Sequence, residues 1–520
     1  MKSLAMTSIA LVGALALAGC VDNTVVAPAI PGASTPSLAL SSSTRGGEAG
    51  RHIVSFAGQG PADFDAQVRA LGGKVLWTSA GSGLATVSGL SRLAAATLAA
   101  QQGIQAVDAD ALLTLEMPKL SRADAGGAAG VQSADNPAGA VRYARQWNMR
   151  AVQADVAWAH GFLGAPTVSV YMLDTGIDYL HADLLGRVDL THSVDLLGTF
   201  DAQVVVGKDT VLVPFTEGDT VKKYFPGRLA FTDLFFHGTH TGATVSSNAV
   251  RIAGITSKTT LVAVKVCGYI NECPFSSILN GVIYGADHGA GVMNLSLGGP
   301  LSKKDDKALI RVINATFNYA RSKGVTIVVS AGNAATDLDH NGNTYESFCD
   351  TPGVICVSAT GPTSDATATD PVNPRTGPWT DVDAPAYYTN FGRRAIDLAA
   401  PGGNSSFGPA LPPPAGRSTY VWAACSQTSL LIDCSALPIF IVGAQGTSMS
   451  APHVTGTAAL LVSILGRNPD RIKERLEESA DQVGSKGLRA FYGNGRVNVA
   501  RAVRAIEDEQ QGQQQASRSR

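Results

Sequence analysis

Three short segments of the chain carry an aspartate, a histidine and a serine in glycine-containing turns. Asp174 precedes Thr-Gly at the end of an apolar run, His237 begins a His-Gly-Thr-His segment, and Ser448 lies in Gly-Thr-Ser-Met-Ser-Ala-Pro-His. A serine hydroxyl is a poor nucleophile at neutral pH unless a histidine accepts its proton and a buried carboxylate orients the imidazole. The three residue types therefore predict nucleophilic catalysis of acyl transfer.

Each segment also has a simpler interpretation. Asp-Thr-Gly turns occur in aspartic proteases, but that mechanism needs two carboxylates that share a proton, and the sequence holds one such turn. His237 and His240 are a conceivable metal pair, but the glutamate of an H-E-x-x-H site is missing between them. Ser448 could be only a helix cap before an apolar run. The combination of the three segments favours the nucleophilic site.

The elements around these segments predict an α/β protein. Apolar runs such as residues 325–330 are typical of strands buried on both faces of a parallel sheet, and helical patterns lie between them at 276–288 and 306–322. We predict a doubly wound, mostly parallel sheet with functional residues at its carboxyl edge, and with strands that end near Leu173, Cys267, Leu297, Ser330, Val357 and Leu398. Residues 51–116 alternate strand and helix signals in the order βαββαβ, which predicts a small ferredoxin-like α+β domain.

The three segments together, in this order, resemble those of a subtilisin-like serine protease (subtilase), and the likeness covers about residues 145–505. The resemblance implies that Asp174 orients the imidazole, that His237 acts as general base and then acid, and that Ser448 is the nucleophile. It also implies that Asn333, in Ser-Ala-Gly-Asn, forms the oxyanion hole with the Ser448 backbone N–H.

The resemblance further implies two substrate-binding segments and two departures from compact members. The backbone of Ser296-Leu297-Gly298 would pair with an extended peptide, and Ala331-Gly332 would line the adjacent pocket. These five residues carry no charge, so we expect an apolar side chain before the cleaved bond. Residues 200–225 and 421–437 are predicted insertions, to which the sequence assigns no role.

Residues 51–116 resemble the propeptide that many subtilases use as an intramolecular chaperone and inhibitor. A linker rich in Ala, Gly and Ser is predicted at 117–143, the protease domain at 144–506, and a disordered Gln-rich tail at 507–520. Cleavage after about Leu115 would separate the protease from everything upstream.

The first residues have the features of an export signal that carries a lipid. The apolar run 4–17 follows a positively charged start, and Leu-Ala-Gly-Cys20 resembles a bacterial lipobox, in which the cysteine is lipidated. An ordinary signal peptide with a chance cysteine is the alternative. We predict a signal peptide at 1–19, a flexible tether at 20–50, and anchoring in the bacterial cell envelope at the outer membrane, with the mature protease released.

Composition sets limits on the size of the core and on the kinds of partner. The chain has 520 residues, of which 45% are hydrophobic and 16% charged, so a large core is expected. The net charge of −2 argues against nucleic-acid binding. The expected partners are polypeptide substrates and the chain's own propeptide, with membrane contact only through the lipid and a monomeric state.

Cysteine usage fits export. Six cysteines remain besides Cys20, and an even number in an exported chain predicts disulfides: Cys267, Cys273, Cys349, Cys356, Cys425 and Cys434. Six cysteines allow 15 connectivities, of which nearest-neighbour pairing is the simplest. A zinc site is the rival interpretation, but no C-x-x-C spacing is present.

No cofactor is required for the predicted chemistry, but structural calcium is compatible with two regions. Asp337, Asp339 and Asn341 place oxygens at alternate positions, as in the first half of a calcium loop, although the twelfth position is a phenylalanine and a polar surface loop is the alternative. The family resemblance adds further candidate cation ligands, namely Asp183 and the set Pro352, Val354 and Asp397.

We therefore predict an exported serine endopeptidase that works through an acyl-enzyme and processes its own precursor. A non-catalytic cell-surface lipoprotein that keeps the fold for binding is the alternative, and the complete set of four active-site residues counts against it. A calcium-dependent adhesion module built on residues 337–343 is a third interpretation, which calcium binding without protease activity would support.

Overall fold

The computed structural model describes residues 38–39, 50–122, 133–206, 209–363, 379, 381–404, 419–434, 440–484 and 488–504. Its strands are β1 (Leu38–Ala39), β2 (His52–Phe56), β3 (Lys74–Ser79), β4 (Leu84–Ser88), β5 (Ile104–Ala109), β6 (Leu112–Thr114), β7 (Lys119–Arg122), β8 (Ser169–Asp174), β9 (Val194–Asp195), β10 (Phe200–Val206), β11 (Asp209–Phe215), β12 (Thr260–Lys265), β13 (Glu272–Pro274), β14 (Val292–Leu295), β15 (Gly299–Ser302), β16 (Thr326–Ser330), β17 (Thr344–Ser347), β18 (Ile355–Thr360), β19 (Leu398–Pro401), β20 (Val421–Ala424) and β21 (Ile441–Gln445).

The helices connect these strands in chain order. They are α1 (Phe64–Ala70), α2 (Arg92–Ala99), α3 (Trp147–Ala151), α4 (Ala154–Ala159), α5 (Glu217–Tyr224), α6 (His237–Val245), α7 (Phe275–Asp287), α8 (Lys307–Ser322), α9 (Thr447–Leu465), α10 (Pro469–Glu478) and α11 (Arg489–Tyr492), with short 3₁₀ turns at Pro137–Gly139, Tyr143–Arg145 and Leu338–His340.

The N-terminal domain is an antiparallel four-stranded sheet in the order β3-β4-β2-β5, with α1 and α2 in the chain positions expected for βαββαβ. Alternating apolar residues of the strands and one face of each helix form a separate hydrophobic core that includes Val54, Val68, Val87 and Leu98. The Ser91 hydroxyl accepts the Ala94 N–H and fixes the start of α2. The ferredoxin-like element order predicted for residues 51–116 is the one the structure has.

The larger domain is built on a seven-stranded sheet in the order β19-β18-β16-β14-β8-β12-β9, in which every pairing is parallel. Apart from the partly buried edge strand β9, its strands are buried along nearly their whole length, and two large hydrophobic clusters cover its two faces. Strand β8 lies inside this order, between β14 and β12. The strands that follow it in the chain are therefore added on both of its sides, and the chain connections separate at its carboxyl end. Open α/β sheets bind ligands at such a point. The predicted doubly wound α/β fold is confirmed.

Some predicted boundaries are wrong by a few residues or more. The helices start at Phe275 and Lys307, each one residue from the prediction, because Pro274 and the preceding turn set the first residue. The strand expected to end at Leu398 begins there instead, since it continues in parallel pairing with β18 to Pro401. Strands β12 and β14 end at Lys265 and Leu295, each two residues before the predicted end.

Helix α9 is the central helix of the larger domain. Among the described residues it alone is long and apolar enough to cross a membrane, and 83% of its most apolar window is buried inside the protein. It packs on β14, β16 and β18, which accounts for its apolar sequence as that of a core helix.

Candidate active site

Asp174 and His237 meet at the carboxyl edge of the parallel sheet. Asp174 is the last residue of β8, and His237 is the first residue of α6. His237 Nδ1 lies 2.7 Å from Asp174 Oδ1, and both side chains are buried. The carboxylate also accepts the Thr175 N–H at 2.8 Å and the Thr241 hydroxyl at 3.0 Å, so it cannot rotate away. With Nδ1–H donated to a carboxylate, the Nε2 of the neutral ring is left as the acceptor.

Ser448 lies in the first turn of α9 and is 6% exposed. Its hydroxyl donates to the Ser296 carbonyl at 3.1 Å, while the Ser296 hydroxyl donates to the Ser448 carbonyl at 2.8 Å. His237 Nε2 is buried and, among the described residues, has no hydrogen-bond partner. A buried polar atom without a partner is costly. The arrangement therefore leaves a base that can accept a proton from a hydroxyl rotated out of its bond with Ser296.

Asn333 follows β16 and is held against the start of α9. Its Oδ1 accepts the Thr447 N–H at 2.8 Å and the Thr447 hydroxyl at 2.9 Å. Because Oδ1 is fixed in this way, the two Nδ2–H groups face away from Thr447. Nδ2 donates to Glu116 Oε2 at 2.9 Å, so an anionic oxygen already binds the group that the sequence assigned to the oxyanion hole.

The segment after the N-terminal domain runs along the cleft. Strand β6 pairs antiparallel with β13, and the Leu115 N–H donates to the Asn271 carbonyl at 2.7 Å. Strand β7, after Glu116, pairs antiparallel with β21, which leads into Ser448. Leu113 and Leu115 are buried in the same hydrophobic cluster as Leu297. This contact was not predicted from sequence, although leucines at the alternate positions 113 and 115 indicate a strand with one buried face.

The five predicted substrate-binding residues line the other wall of this cleft. Ser296 and Leu297 follow β14, and Ala331 and Gly332 follow β16, so the two segments leave neighbouring parallel strands side by side. Gly298 lies against the Ser347 carbonyl, where a Cβ at Gly298 would come within 2.2 Å of that oxygen. Gly332 has a φ of +94°, and a Cβ there would lie 3.2 Å from Glu346 Oε1.

A buried charge network lies behind the Asp174–His237 pair. Lys265, at the end of β12, forms an ion pair of 2.8 Å with Glu217 and donates to the Thr175 carbonyl at 3.0 Å. Burial disfavours its charge, but the Glu217 and Asp195 carboxylates outweigh that effect and raise the pKa of Lys265. Asp233 accepts the Thr175 hydroxyl, and burial raises the pKa of Asp233 to about 6. This network could not be predicted from sequence, because its members are far apart along the chain.

Two histidines near the site are structural. Burial and the neighbouring His237 lower the pKa of His240 to about 3, and its Nε2 lies 3.1 Å from the Val421 carbonyl. Burial lowers the pKa of His453 to about 4, and that ring is held by Asn148 and the Met449 carbonyl. Both rings are therefore neutral at physiological pH and serve as packed hydrogen-bonding groups.

The six cysteines form three disulfides between nearest neighbours. The pairs are Cys267–Cys273, Cys349–Cys356 and Cys425–Cys434. The simplest of the predicted connectivities is thus the one in the structure. The first bridge closes the turn between β12 and β13, which pairs with the segment in the cleft. The third bridge lies within the insertion predicted at 421–437, part of which forms β20. The other predicted insertion, 200–225, contributes β10, β11 and α5.

The candidate calcium ligands have other partners. The Asp183 carboxylate accepts the N–H groups of Val250, Arg251 and Ile252, so it serves as an anchor for that turn. Lys473 Nζ lies 2.6 Å from Asp397 Oδ1 and donates to the Val354 carbonyl at 2.8 Å, in a cleft that Pro352 also lines. A lysine ammonium therefore stands where the sequence predicted a cation.

The acidic loop does not gather its oxygens at one point. Asp337 contacts His340 and its own loop backbone, Asp339 accepts the N–H groups of Arg394 and Ala395, and Asn341 faces Lys303. Among the described residues, no cluster of three His, Cys, Asp or Glu side chains is placed to hold a metal ion. These residues do not fit a calcium site. The predicted lipidation site, Cys20, lies outside the described residues, as do the signal peptide and residues 507–520 of the predicted tail.

The sequence is similar to those of known serine proteases. Residues 165–495 match the sequence model described as the Subtilase family. Thermitase of Thermoactinomyces vulgaris is 27% identical over 362 residues, which cover 69% of this chain and 96% of thermitase. The thermophilic serine proteinase of Bacillus sp. (strain AK1) is 29% identical over 361 residues, which cover 69% of this chain and 67% of that protein.

Two solved structures share the fold. The epidermin leader peptide processing serine protease of Staphylococcus aureus superposes with a TM-score of 0.63 at 19% identity, covering 88% of this chain and 99% of its own. Fervidolysin from Fervidobacterium pennivorans superposes with a TM-score of 0.61 at 20% identity, covering 90% of this chain and 62% of its own. At these identities the likeness concerns the fold alone.

Proposed function

The chain belongs to the subtilase family and is a subtilisin-like serine endopeptidase, and on that premise we propose that it cleaves peptide bonds with Ser448, His237 and Asp174 after cutting its own precursor. The observation that carries the proposal is the 2.7 Å contact between His237 and Asp174, with the opposite ring nitrogen buried and unpaired beside the helix that bears Ser448. An unpaired ring nitrogen alone does not single out His237, because His240 Nδ1 is also buried without a partner among the described residues. What distinguishes His237 is the carboxylate on its other nitrogen, where His240 has the neutral Val421 carbonyl.

The reaction begins when the Ser448 hydroxyl leaves the Ser296 carbonyl and turns to His237 Nε2. Nε2 accepts the proton as Oγ bonds to the substrate carbonyl carbon, and Asp174 stabilises the imidazolium that forms. The carbonyl electrons move to oxygen, which the Asn333 Nδ2–H and the Ser448 N–H stabilise. His237 then donates the proton to the leaving amine, and the carbon–nitrogen bond breaks to give the acyl-enzyme.

Hydrolysis repeats the same steps with water. His237 accepts a proton from water, whose oxygen bonds to the acyl carbon, and it returns the proton to Ser448 Oγ as the ester bond breaks. No step needs a cofactor. The reaction therefore releases the two peptides and restores the starting protonation state.

The segment in the cleft supports self-processing. On one side of Glu116 the chain pairs with β13, and on the other side it pairs with β21, just before Ser448. We assign the cleaved bond to Glu116–Met117, one residue beyond the position expected from sequence, because Glu116 lies between the two pairings and its carboxylate contacts Asn333. We therefore assign residues 51–116 as the propeptide, which blocks the cleft and assists the folding of the protease domain.

Export is the second part of the proposal. Residues 1–19 would direct secretion, Cys20 would carry a lipid in the outer membrane, and cleavage after Glu116 would release a monomeric protease. Incorporation of labelled palmitate that is lost in a Cys20→Ala variant supports this route. Equal labelling of the variant, or no labelling of either protein, refutes it.

A serine-directed phosphonylating reagent tests the catalytic proposal. It should label Ser448 in the mature protein, and the label should be absent from Ser448→Ala but present in Ser450→Ala, which alters a serine of the same helix. Labelling that survives in Ser448→Ala, or that never reaches Ser448 in folded protein that cleaves peptides, would overturn the assignment. A correctly folded protein without peptide hydrolysis would support the alternative of a binding lipoprotein.

A further inference from the structure

The side chain before the cleaved bond must enter a gap between two backbone segments. A carbonyl attacked by Ser448 and held by Asn333 belongs to a residue that lies between 296–298 and 331–333, because Ser296 contacts Ser448 and Asn333 contacts Thr447. Gly298 and Gly332 present no side chains to fill that gap. The residue behind it therefore meets the end of the entering side chain.

Glu346 lies behind this gap. It is in β17, opposite Pro300 in the antiparallel pairing with β15, one residue pair from Gly299. Its Oε1 is 3.2 Å from the point where a Cβ on Gly332 would lie. Asn390 Nδ2, which donates to the Ala331 carbonyl, is 2.5 Å from the same point, so the neutral Asn390 amide and the Glu346 carboxylate lie side by side behind Gly332. Of these two groups, only Glu346 can carry a charge.

The Glu346 carboxylate has no cation to neutralise it. The residue is 7% exposed, and within the described parts of the chain its side-chain oxygens form no hydrogen bond or ion pair. Asp350 is the one charged group that acts on it, and Lys303 acts on Asp350. Burial and the Asp350 charge raise the pKa of Glu346 to about 8. A buried carboxylate without a partner is unfavourable, and a cation placed beside it removes that cost.

We propose that Glu346 is a specificity-determining residue, which makes the enzyme prefer lysine or arginine before the cleaved bond. A long side chain with a terminal cation passes the two glycines and pairs with the carboxylate at the end of the gap. This replaces the apolar preference expected from the uncharged segments alone. The inference rests on the proposed function, because it assigns a substrate class to the same site.

The segment in the cleft does not use this pocket. The Glu116 carboxylate contacts Asn333 Nδ2, and a second carboxylate placed beside Glu346 would be repelled or would need a proton. Cleavage after Glu116 within the precursor therefore depends on the strand pairings that hold the segment on both sides of this residue, whereas a separate peptide gains affinity from the cation that pairs with Glu346.

Ionisation of Glu346 gives the preference a pH dependence. The empty pocket holds the proton up to a pH of about 8, and a bound cation favours its release. The ratio of kcat/KM for an arginine substrate to that for its neutral isostere should therefore rise from pH 6 to pH 9. Any effect of pH on the steps that the two substrates share cancels in the ratio.

The test uses the mature enzyme and two peptides that differ only in arginine or citrulline before the cleaved bond. Glu346→Gln should reduce the arginine-to-citrulline ratio of kcat/KM by roughly 10- to 100-fold, the loss expected for one hydrogen bond between charged groups. It should also abolish the pH dependence of the ratio. Glu346→Asp should keep part of the preference, and Asp305→Asn, in an exposed turn, should keep all of it.

The outcomes separate this inference from the proposed function. An active enzyme with a ratio near one in the wild type, or with an unchanged ratio in Glu346→Gln, overturns the role of Glu346 and leaves the triad standing. Absence of hydrolysis of any peptide, together with no labelling of Ser448, overturns the proposed function instead. If Glu346→Gln does not fold, the wild-type ratio and its rise with pH decide the question alone.

Discussion

The buried ion pair between Arg51 and Asp110 links the N-terminal domain to the larger domain, so we expect a single substitution there to weaken the contact between the two domains strongly. Asp110 is 1% exposed, its Oδ1 accepts the Ser276 N–H at 2.9 Å, and its Oδ2 lies 3.3 Å from Arg51 Nε. The guanidinium also donates to the Leu197 carbonyl and to the Ser277 hydroxyl. Asp110 thus binds the first turn of α7, where backbone N–H groups favour an anion.

Replacing Asp110 by alanine removes a buried ion-pair partner of Arg51 and leaves the Ser276 N–H without its acceptor. Breaking a buried pair from one side costs about 3–5 kcal/mol. Burial raises the pKa of Asp110 against the opposing attraction of Arg51 and Ser276, so desolvation already offsets part of the interaction. We therefore expect the lower end, about 3 kcal/mol, or roughly a 100-fold increase in the population of the open cleft.

Amide hydrogen exchange measures this opening directly. In a Ser448→Ala background, where the chain stays uncut, Asp110→Ala should speed exchange in residues 104–115 and 271–275 by about 100-fold. Exchange in β14 and β16 should not change. Asp65→Ala is the matched control, since that carboxylate is 55% exposed in a surface pair with Arg69 and should have little effect. Unchanged exchange at 104–115, or equally faster exchange in the parallel sheet, would refute the reasoning.

Three further predictions concern the larger domain. Asn333→Ala should lower kcat by about 10²–10³, the range typical of losing one oxyanion donor in a subtilisin, with little change in KM; a loss confined to KM would contradict the role given to Nδ2. Glu217→Gln should lower the free energy of unfolding in urea by about 3 kcal/mol, because it removes the direct ion-pair partner of the buried Lys265 and leaves only the more distant Asp195 and Asp233 carboxylates to balance its charge, and a change below 1 kcal/mol would show that the pair is not desolvated as described. Burial lowers the pKa of His453 to about 4, so between pH 6.5 and pH 4 the unfolded chain binds a proton that the folded chain does not. The unfolding free energy of the wild type minus that of His453→Gln should therefore fall by about 1 kcal/mol per pH unit on acidification; a constant difference would mean that this ring is charged in the fold.

The parts of the site that could be predicted from sequence are those carried by one short segment each. Asp174, His237 and Ser448 each lie at the end of a regular element, and the parallel sheet brings such ends to one edge. Strand and helix signals in residues 51–116 could likewise be predicted, since alternation and 3.6-residue spacing are local properties.

The parts that could not be predicted depend on contacts between distant segments. Glu346 reaches the pocket only because β17 pairs with β15, and Glu217 meets Lys265 only after an insertion folds over β12. The predicted cation site shows the same limit. Carbonyl and carboxylate oxygens near Asp397 do attract a cation, but that the cation is Lys473, from a later helix, is visible only in the fold.

The most direct test of the account is the size of two precursors made side by side. The wild type should shorten to a stable product whose N-terminal residue is Met117, while Ser448→Ala should keep its uncut length under the same conditions. Mass measurement and N-terminal sequencing of both proteins then locate the nucleophile and the cleaved bond together. If both proteins shorten alike, or if neither shortens, self-cleavage through Ser448 is contradicted.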